Sequence, residues 1–278
     1  MTGGPPNSER EAGWSVEDIP YHRLARERVR EDRLIFHIVA SAAFVEITSD
    51  VYTRNLAAFF RGDSEIVEWL ECSWEKDEVQ HGVALKRYVQ NAWPEFDWDA
   101  AYRDFLAEFM KFCSIDQLSG TRALEMASRC VVETGTAAFY RMLADASPEP
   151  VLRQIALNIS LDEVRHFKHF YRYFLRYREN ERTSRAAVLG TLWARLAEID
   201  SEDAYYSFKH VYLARHPGVS FDDKAYRAYR NGVRKICKRH FPHEMATKML
   251  LKPLGLAVPV SRIVIPTVTA ATRLLFSI

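Results

Sequence analysis

Apolar residues recur every three or four positions along most of the chain, and few stretches alternate between apolar and polar residues as β-strands do. This period predicts four long helices, separated by Gly62, Pro94 and Pro148, which span residues 34–60, 64–92, 116–146 and 150–178. Helices of that length extend about 40–47 Å, at about 1.5 Å per residue. They favour an antiparallel four-helix bundle with one longer crossover between the second and third helices.

The other helical patterns are shorter and cover residues 98–112, 184–199, 202–214, 222–239 and 243–251. Residues 1–14 are predicted to form a flexible tail, and Ser15 with Asp18 predicts a capped helix start. No Ser- or Gly-rich linker marks a domain boundary. The prediction is therefore an all-α fold with three parts: an N-terminal tail and short helix over residues 1–33, the four-helix bundle over 34–180, and additional C-terminal helices packed on the bundle over 181–278.

The last 25 residues are the most apolar part of the chain. Pro259, Arg262, Pro266 and Arg273 interrupt them and leave no uninterrupted run of about 18 apolar residues, the length that spans a bilayer. We expect this segment to dock on the rest of the protein. The alternative is a contact with a membrane surface or with a second subunit.

The chain has 278 residues, of which 48% are hydrophobic and 27% are charged, and this composition is typical of a globular protein. Its cysteines form no CxxC pair, which disfavours a zinc ribbon, a rubredoxin-type iron site and a disulfide scaffold; they are Cys72, Cys113, Cys130 and Cys237. The first 14 residues have no apolar core and do not resemble a secretory signal. The expected location is the cytoplasm.

The formal net charge of +1 conceals an asymmetry between the two halves of the chain. Residues 1–167 hold 18 Lys and Arg against 28 Asp and Glu, a net charge of −10, whereas residues 168–278 hold 20 against 9, a net charge of +11. The basic half predicts either an anionic partner or a solvated surface. The whole chain is not basic and carries no nucleic-acid-binding motif, so a nucleic-acid partner is not expected.

One five-residue motif occurs twice, as Asp77-Glu78-Val79-Gln80-His81 in the second long helix and as Asp162-Glu163-Val164-Arg165-His166 in the fourth. A Glu and a His three residues apart project from the same face of a helix. A single Glu-x-x-His occurs often by chance, but a five-residue match on two separate long helices is far more specific. The repeat predicts that both helices present the same pair of donor groups.

The other two long helices each carry a Glu among apolar or small residues: Glu46 in the first and Glu133 in the third. An isolated carboxylate in such a stripe is costly to bury as an anion. Convergence of four carboxylates and two imidazoles on two divalent cations would remove that cost, because the cations bring four positive charges. A solvent-exposed position for either Glu is the alternative.

This set resembles the ferritin-like di-iron carboxylate proteins, in which two helices each give a Glu and two others each give Glu-x-x-His. The resemblance covers residues 34–178. It implies a ferritin-like four-helix bundle that binds two iron ions, or iron with manganese, with O₂ as co-substrate. The metal ligands it implies are Glu46, Glu78, His81, Glu133, Glu163 and His166.

Within that superfamily the chain is most similar to the soluble acyl-acyl carrier protein desaturases. The shared features are His81-Gly82 at the end of the first motif, Thr136 one turn after Glu133, and Asp162 before Glu163. Storage ferritins are shorter, and rubrerythrins carry a Cys-rich iron module that is absent here. A radical subunit of ribonucleotide reductase usually has Asp at the position of Glu46 and a radical Tyr at the position of Leu85.

The resemblance implies an O₂-dependent di-iron oxidoreductase acting on an acyl or other apolar substrate, by desaturation, hydroxylation or N-oxidation. Thr136 would relay a proton to oxygen or simply bond its own helix. Asp77 and Asp162 would each accept the imidazole N–H of the histidine in the opposite motif, or lie exposed beside it. Tyr52 and Tyr140 follow Glu46 and Glu133 at helical spacing, and core packing is expected for both.

The implied partners are an external ferredoxin-like electron donor and an acyl carrier protein that would dock on the basic C-terminal half, for example at residues 234–239. A homodimer is also expected from the resemblance. Two other classes remain: a ferritin-like metal-handling or oxidative-stress protein without a small-molecule substrate, and a helical scaffold with a vestigial site. About 100 residues beyond the bundle favour the oxidoreductase, because storage needs neither a substrate pocket nor a partner surface.

Overall fold

The structure is a computed structural model, and it describes residues 13–111, 118–198 and 202–277. Nearly all of the predicted N-terminal tail, the predicted start of the third long helix at residue 116, and Cys113 lie outside the described residues. The described part of the chain is helical and contains no strand, so the predicted all-α class is confirmed.

The described residues form twelve α-helices. The first six are α1 (Arg33–Ile47), α2 (Ser49–Phe59), α3 (Ser64–Trp69), α4 (Glu75–Ala92), α5 (Trp98–Phe109) and α6 (Arg122–Ala146). The remaining six are α7 (Pro150–Glu181), α8 (Arg185–Ala197), α9 (Glu202–Arg215), α10 (Asp223–His240), α11 (His243–Leu251) and α12 (Val258–Ser277). Before α1, the predicted capped start at Ser15 is present, but it opens only a three-residue 3₁₀ turn, Val16–Asp18.

The prediction of one continuous helix over residues 34–60 is wrong at Thr48, where ψ is 6° and α1 passes into α2. The Thr48 hydroxyl donates to the carbonyl of Phe44 at 2.7 Å, and the Ser49 hydroxyl donates to the carbonyl of Glu46 at 2.7 Å. Hydroxyls that bond back to their own helix compete with the regular ladder and bend it. The break therefore follows from two adjacent hydroxyl residues rather than from Gly or Pro.

The second long helix is continuous but irregular, because residues Leu70–Trp74 between α3 and α4 form a π-helical turn. The extra residue in such a turn shifts the facing of the helix that precedes it, and π turns occur frequently near functional sites. Here the turn ends at Trp74, directly before the start of α4, the helix that carries the first five-residue motif.

Two apolar clusters lie at opposite ends of the long helices. On α7, for example, Val151 to Ile159 belong to one cluster and Phe167 to Tyr177 to the other. α1 packs on α4, α6 packs on α7, and α4 contacts α7. The donor groups of the two motifs are thereby confined to a polar layer between two apolar layers.

The C-terminal helices are distributed around this arrangement. α8, α10 and α11 pack against α6, and α9 packs against α1 and α5. α12 contacts α11 and α10, but its apolar side chains are largely exposed, including Ile263 and Leu275 at 70% each. The expectation of a docked C-terminal segment is therefore wrong for most of its apolar surface.

Within the part of the chain that the structure describes, two helical stretches are long and apolar enough to cross a membrane by length and composition, residues 33–59 and 258–275. The first is mostly buried in the protein, as a core helix is. The second passes the same test despite its two prolines and two arginines, contrary to the expectation that the interruptions would exclude it.

Candidate metal centre

Four helices bring the six predicted ligand residues to one place. α1 provides Glu46, α6 provides Glu133, and α4 and α7 provide the two Glu-His pairs. All six side chains belong to residues that are between 0% and 7% exposed. The three-residue spacing within each motif places Glu and His on the inward face of its helix, as expected for a helix of about 3.6 residues per turn.

The six residues form two overlapping groups, in each of which one donor atom per residue lies within 4.8 Å of all the others. The first group is Glu46, Glu78, His81 and Glu163, and the second is Glu78, Glu133, Glu163 and His166. Glu78 and Glu163 belong to both groups. Each group could hold one metal ion, and the two shared carboxylates lie where they could bridge a pair.

The distances around the two imidazoles show how compact the cluster is. His81 Nδ1 lies 3.3 Å from Glu163, 3.7 Å from Glu78 and 3.8 Å from Glu46. His166 Nδ1 lies 3.0 Å from Glu78, 3.6 Å from Glu133 and 3.8 Å from Glu163. Each histidine thus directs the same ring nitrogen at three carboxylates.

Several of these buried atoms have no hydrogen-bond partner of proper geometry among the described residues: His81 Nδ1, His166 Nδ1, Glu133 Oε2 and Glu163 Oε1. Unpaired polar atoms in a buried site are costly, and they are rare unless water or an ion satisfies them. Imidazole nitrogens and carboxylate oxygens aimed into a common space are metal-ligand groups. The residues present therefore fit a pair of divalent cations.

The outer nitrogens of both histidines are held by carboxylates from the opposite motif. His81 Nε2 lies 3.0 Å from Asp162 Oδ2, and His166 Nε2 lies 3.1 Å from Asp77 Oδ2. Each aspartate accepts the Nε2–H and thereby leaves Nδ1 facing the cluster. This crossed pairing is one of the two alternatives that the sequence leaves open, and such partners orient and tune metal-binding histidines.

A guanidinium connects the two aspartates. Arg165 Nη2 donates to Asp77 at 2.8 Å, and Arg165 Nη1 lies 2.7 Å from Asp162. Arg165 occupies the variable position of the second motif, and its cation balances two buried or half-buried carboxylates. The sequence does not predict this role, because the repeat alone gives no indication that the variable position faces both aspartates.

The segment before α1 also reaches the site. The Trp14 indole donates to Asp162 Oδ2 at 2.8 Å and stacks parallel to His81, with ring centroids 6.1 Å apart. Gln80, the variable position of the first motif, donates to the Trp14 carbonyl at 3.0 Å. The predicted flexible tail is therefore wrong at its last residue, which is anchored to the site.

Two hydroxyls contact the cluster from α6. Thr136 donates to Glu163 Oε2 at 2.9 Å and also lies 3.2 Å from the carbonyl of Val132. Tyr140 donates a short hydrogen bond to Glu46 Oε1 and is 1% exposed. Core packing was expected for Tyr140, and its burial agrees with that, but its hydroxyl is part of the polar layer. Tyr52 instead bonds Asp203 at 2.7 Å.

Burial and proximity perturb the pKa values of the cluster. Burial raises the pKa of Glu46 to about 8, although contact with His81 opposes the change. Burial lowers the pKa of both His81 and His166, but the surrounding carboxylates outweigh it and raise both pKa values well above the usual range. Without metal, the imidazoles therefore hold protons that balance the carboxylates, and metal binding must displace protons from the site.

A cavity of about 100 Å³ adjoins the cluster. All four carboxylates of the cluster line it together with Thr136, and its apolar walls come from Val45, Trp74 and Val132. Its other lining residues are polar or charged: Ser49, Tyr52, Arg129, Arg195 and Asp203. A small molecule with an apolar part and a polar end matches this lining.

Gly82 explains how closely two of the four helices approach. A Cβ at this position would lie 2.5 Å from the backbone nitrogen of Ile47 and 2.7 Å from its Cα. Only glycine allows α4 to cross the end of α1 at this distance, directly after His81 and beside Glu46. The His-Gly pair of the first motif therefore has a packing role in this chain.

No protein-family model matches the chain, and no curated protein matches it at a significant level. A functional proposal for this chain therefore rests on the buried cluster of Glu and His residues.

Proposed function

We propose that this chain is an O₂-dependent di-metal oxidoreductase of the ferritin-like class. The observation that carries the proposal is the pair of overlapping ligand groups that share Glu78 and Glu163. Two separate four-residue groups would be ordinary metal sites, but two shared carboxylates are the arrangement expected for a pair of ions in a helical carboxylate protein.

The donor set favours iron, or iron with manganese. Four carboxylates and two imidazoles give each ion a mostly oxygen environment, which suits these metals better than the thiolate-rich sites typical of zinc or copper(I). When bound in the reduced state, the ions would supply electrons for O₂ reduction, with an external ferredoxin-like protein restoring them.

The protein residues would fix the geometry and control protons. Asp162 and Asp77 hold the Nε2–H of the two histidines, so that Nδ1 of each faces the carboxylates of the cluster and could bind an ion there. Thr136 also lines the cavity and donates to Glu163 at 2.9 Å, so its hydroxyl can move a proton at that carboxylate. The two flanking apolar clusters limit access of bulk water, which protects reactive oxygen chemistry from side reactions.

The cavity supports a small or short organic substrate. Its volume of about 100 Å³ is below the range of about 300–1,000 Å³ usual for drug-sized ligands. The apolar walls near the cluster suit a C–H bond as the reacting group, and Arg129 and Arg195 suit a polar end. A short acyl group meets both requirements, and we propose this in place of a long fatty acyl chain.

The direct test is metal content per chain, followed by O₂ consumption. Protein from iron-supplemented cells is expected to hold about two iron atoms, or one iron and one manganese, per chain. Glu163→Ala should lose most of both ions because Glu163 belongs to both groups. Glu71→Ala is the matched control, since Glu71 is exposed on the same long helix as Glu78.

Two outcomes would contradict the proposal. Unchanged metal content in Glu163→Ala would show that the ligand assignment is wrong. Reduced protein that consumes O₂ only to deposit many ferric ions per chain would identify a metal-handling protein instead.

A further inference from the structure

The outward face of α12 is apolar, which is the reverse of the usual arrangement on a globular protein. Val260, Ile263 and Leu274 lie on this face at helical spacing and are 45%, 70% and 66% exposed. Thr267, Ala270 and Ala271 lie on the same face and are exposed, and no charged residue interrupts it.

Two threonines of α12 face the protein. Thr269 is buried, and the Thr272 hydroxyl lies 3.1 Å from His243 Nδ1 at the contact with α11. α12 thus turns Thr269 and Thr272 towards the protein, whereas Ile263 and Leu274 face solvent. Such a helix is built to meet an apolar phase on its outer side.

The neighbouring surface is strongly basic. Residues 223–275 contain eleven Lys and Arg but only two Asp and Glu, a net charge of +9. α10, which contacts α12, has no buried residue and exposes a series of cations: Lys224, Arg227, Arg230, Arg234, Lys235, Lys238 and Arg239. Arg262 and Arg273 lie along one edge of the apolar face of α12.

We propose that α12 and α10 form a binding surface for anionic lipid bilayers. The apolar face of α12 enters the boundary between headgroups and acyl chains, and the cations of α10 contact the lipid phosphates. An apolar helix face flanked by Lys and Arg is the pattern of helices that lie in a membrane interface. Basic clusters of this size favour bilayers rich in anionic lipid.

The charge also decides between a membrane and a second copy of this chain. A two-fold dimer through this face would place two surfaces of net charge +9 opposite each other, and like charges in contact disfavour association. A bilayer with anionic headgroups supplies the opposite charge together with the apolar phase. Insertion across the bilayer would bury Arg262 and Arg273, whereas a surface position leaves both at the headgroups.

The test is flotation of the full chain with vesicles of two compositions, an equimolar mixture of phosphatidylglycerol and phosphatidylcholine and phosphatidylcholine alone. The protein is expected to float with the anionic vesicles, to bind neutral vesicles at least about tenfold more weakly, and to be released by high salt. The metal state of the protein should not matter, because the surface is separate from the Glu and His cluster.

Two variants separate the apolar and the basic parts of the surface. Ile263→Glu and the double variant Arg234→Glu/Arg239→Glu should each weaken binding to anionic vesicles about tenfold or more. Leu189→Glu on α8 and Arg103→Glu on α5 are matched controls, since both residues are exposed on other helices, and both variants should bind as the unchanged protein does. Every substituted side chain is exposed, so the fold should persist, which circular dichroism checks.

Three results would overturn the proposal. The first is equal binding to both vesicle types or to neither. The second is protein that resists extraction by alkaline carbonate, which would indicate a spanning helix. The third is a stable dimer that Ile263→Glu dissociates, with no vesicle binding, which would assign the face to a second copy of the chain.

Discussion

Asp162 makes three contacts at once, and each comes from a different part of the chain. It accepts from His81 at 3.0 Å and from Trp14 at 2.8 Å, and it pairs with Arg165 at 2.7 Å. Asp77 holds His166 and the same arginine. At the scale of single residues, the site is therefore defined as much by what surrounds the two histidines as by the groups that could touch metal.

Removing the charge of one such aspartate should weaken metal binding without unfolding the protein. Asp162→Asn keeps the shape but gives His81 a weaker acceptor, so metal affinity is expected to fall about 10- to 100-fold. Competition with a chromogenic chelator under anaerobic conditions measures the metal affinity. Asp99→Asn, on an exposed aspartate that pairs with Lys86, is the control. Equal affinities for the two variants would show that Asp162 is dispensable.

A buried histidine away from the cluster makes stability depend on pH. Burial lowers the pKa of His37 from 6.5 to about 4, and its Nε2 has no hydrogen-bond partner among the described residues. The unfolded state then binds more protons than the native state between those two pH values, so stability is complete above pH 6.5 and falls as the pH approaches 4.

The loss of stability expected from His37 is up to about 3 kcal/mol, because a difference of one pH unit between the native and unfolded pKa corresponds to about 1.4 kcal/mol. Urea unfolding at several pH values, compared between the unchanged protein and His37→Gln, measures the contribution of His37 to the loss of stability. The comparison separates it from the contribution of carboxylates that titrate in the same pH range. Parallel pH curves for the two proteins would contradict it.

The sequence predicts well the arrangement of residues that are close together in the chain. Glu78 with His81, and Glu163 with His166, share a face because of helical geometry alone, and the structure does bring these four together with Glu46 and Glu133. The contact of Trp14 with Asp162 joins residues 148 positions apart, and no local pattern indicates it. The role of Arg165 likewise depends on how two helices face each other.

At the scale of elements, the site depends on how closely α4 crosses α1. Gly82 allows that crossing, and the break at Thr48 ends α1 just beyond it. The sequence predicts the approximate bounds of most helices, since Gly and Pro separate many of them, but it predicts nine helical stretches where the described residues form twelve α-helices. It does not predict the break at Thr48 or the π-helical turn at Leu70–Trp74, because back-bonding hydroxyls and an extra residue per turn leave the apolar period nearly unchanged.

Adding one methyl group at Gly82 should therefore be costly. In an open helix, Gly→Ala stabilises by about 0.5–1 kcal/mol, but here the methyl meets the Ile47 backbone and the expected effect is destabilisation by about 1–3 kcal/mol. Gly190→Ala is the matched control, because nothing lies within 4 Å of a Cβ there, and it should stabilise. Chemical denaturation measures both, and stabilisation by both would mean that the helices do not cross so closely.

At the scale of the whole molecule, the acidic half contains the buried cluster and the basic half contains the exposed surface of α10 and α12. The sequence shows that the two halves have net charges of −10 and +11, but it does not show which structural feature each charge belongs to. It cannot show that α12 turns its apolar face outward, since the period of an amphipathic helix is the same whichever side faces the protein. That orientation is set by tertiary contacts with α11.

Filling the cluster with metal should stabilise the whole fold, because the ions bind the folded cluster and not the separated ligands of the unfolded chain. At a hundredfold excess over the dissociation constant, binding adds about 2.7 kcal/mol, which raises the Tm by about 5 °C or more. Differential scanning calorimetry with and without Mn²⁺ or anaerobic Fe²⁺ measures the change. The Tm of Glu163→Ala should rise little when metal is added. An equal increase of the Tm in that variant would show that the ion binds elsewhere.

The shared position of Glu78 and Glu163 has a consequence for how the protein fills. The first ion to enter would fix both shared carboxylates in the positions that the second ion needs, and Arg165, which contacts both Asp77 and Asp162, links the two histidines behind them. Loading is therefore expected to be cooperative. A population given half the metal it can hold should consist largely of fully loaded and empty molecules, with few that carry a single ion.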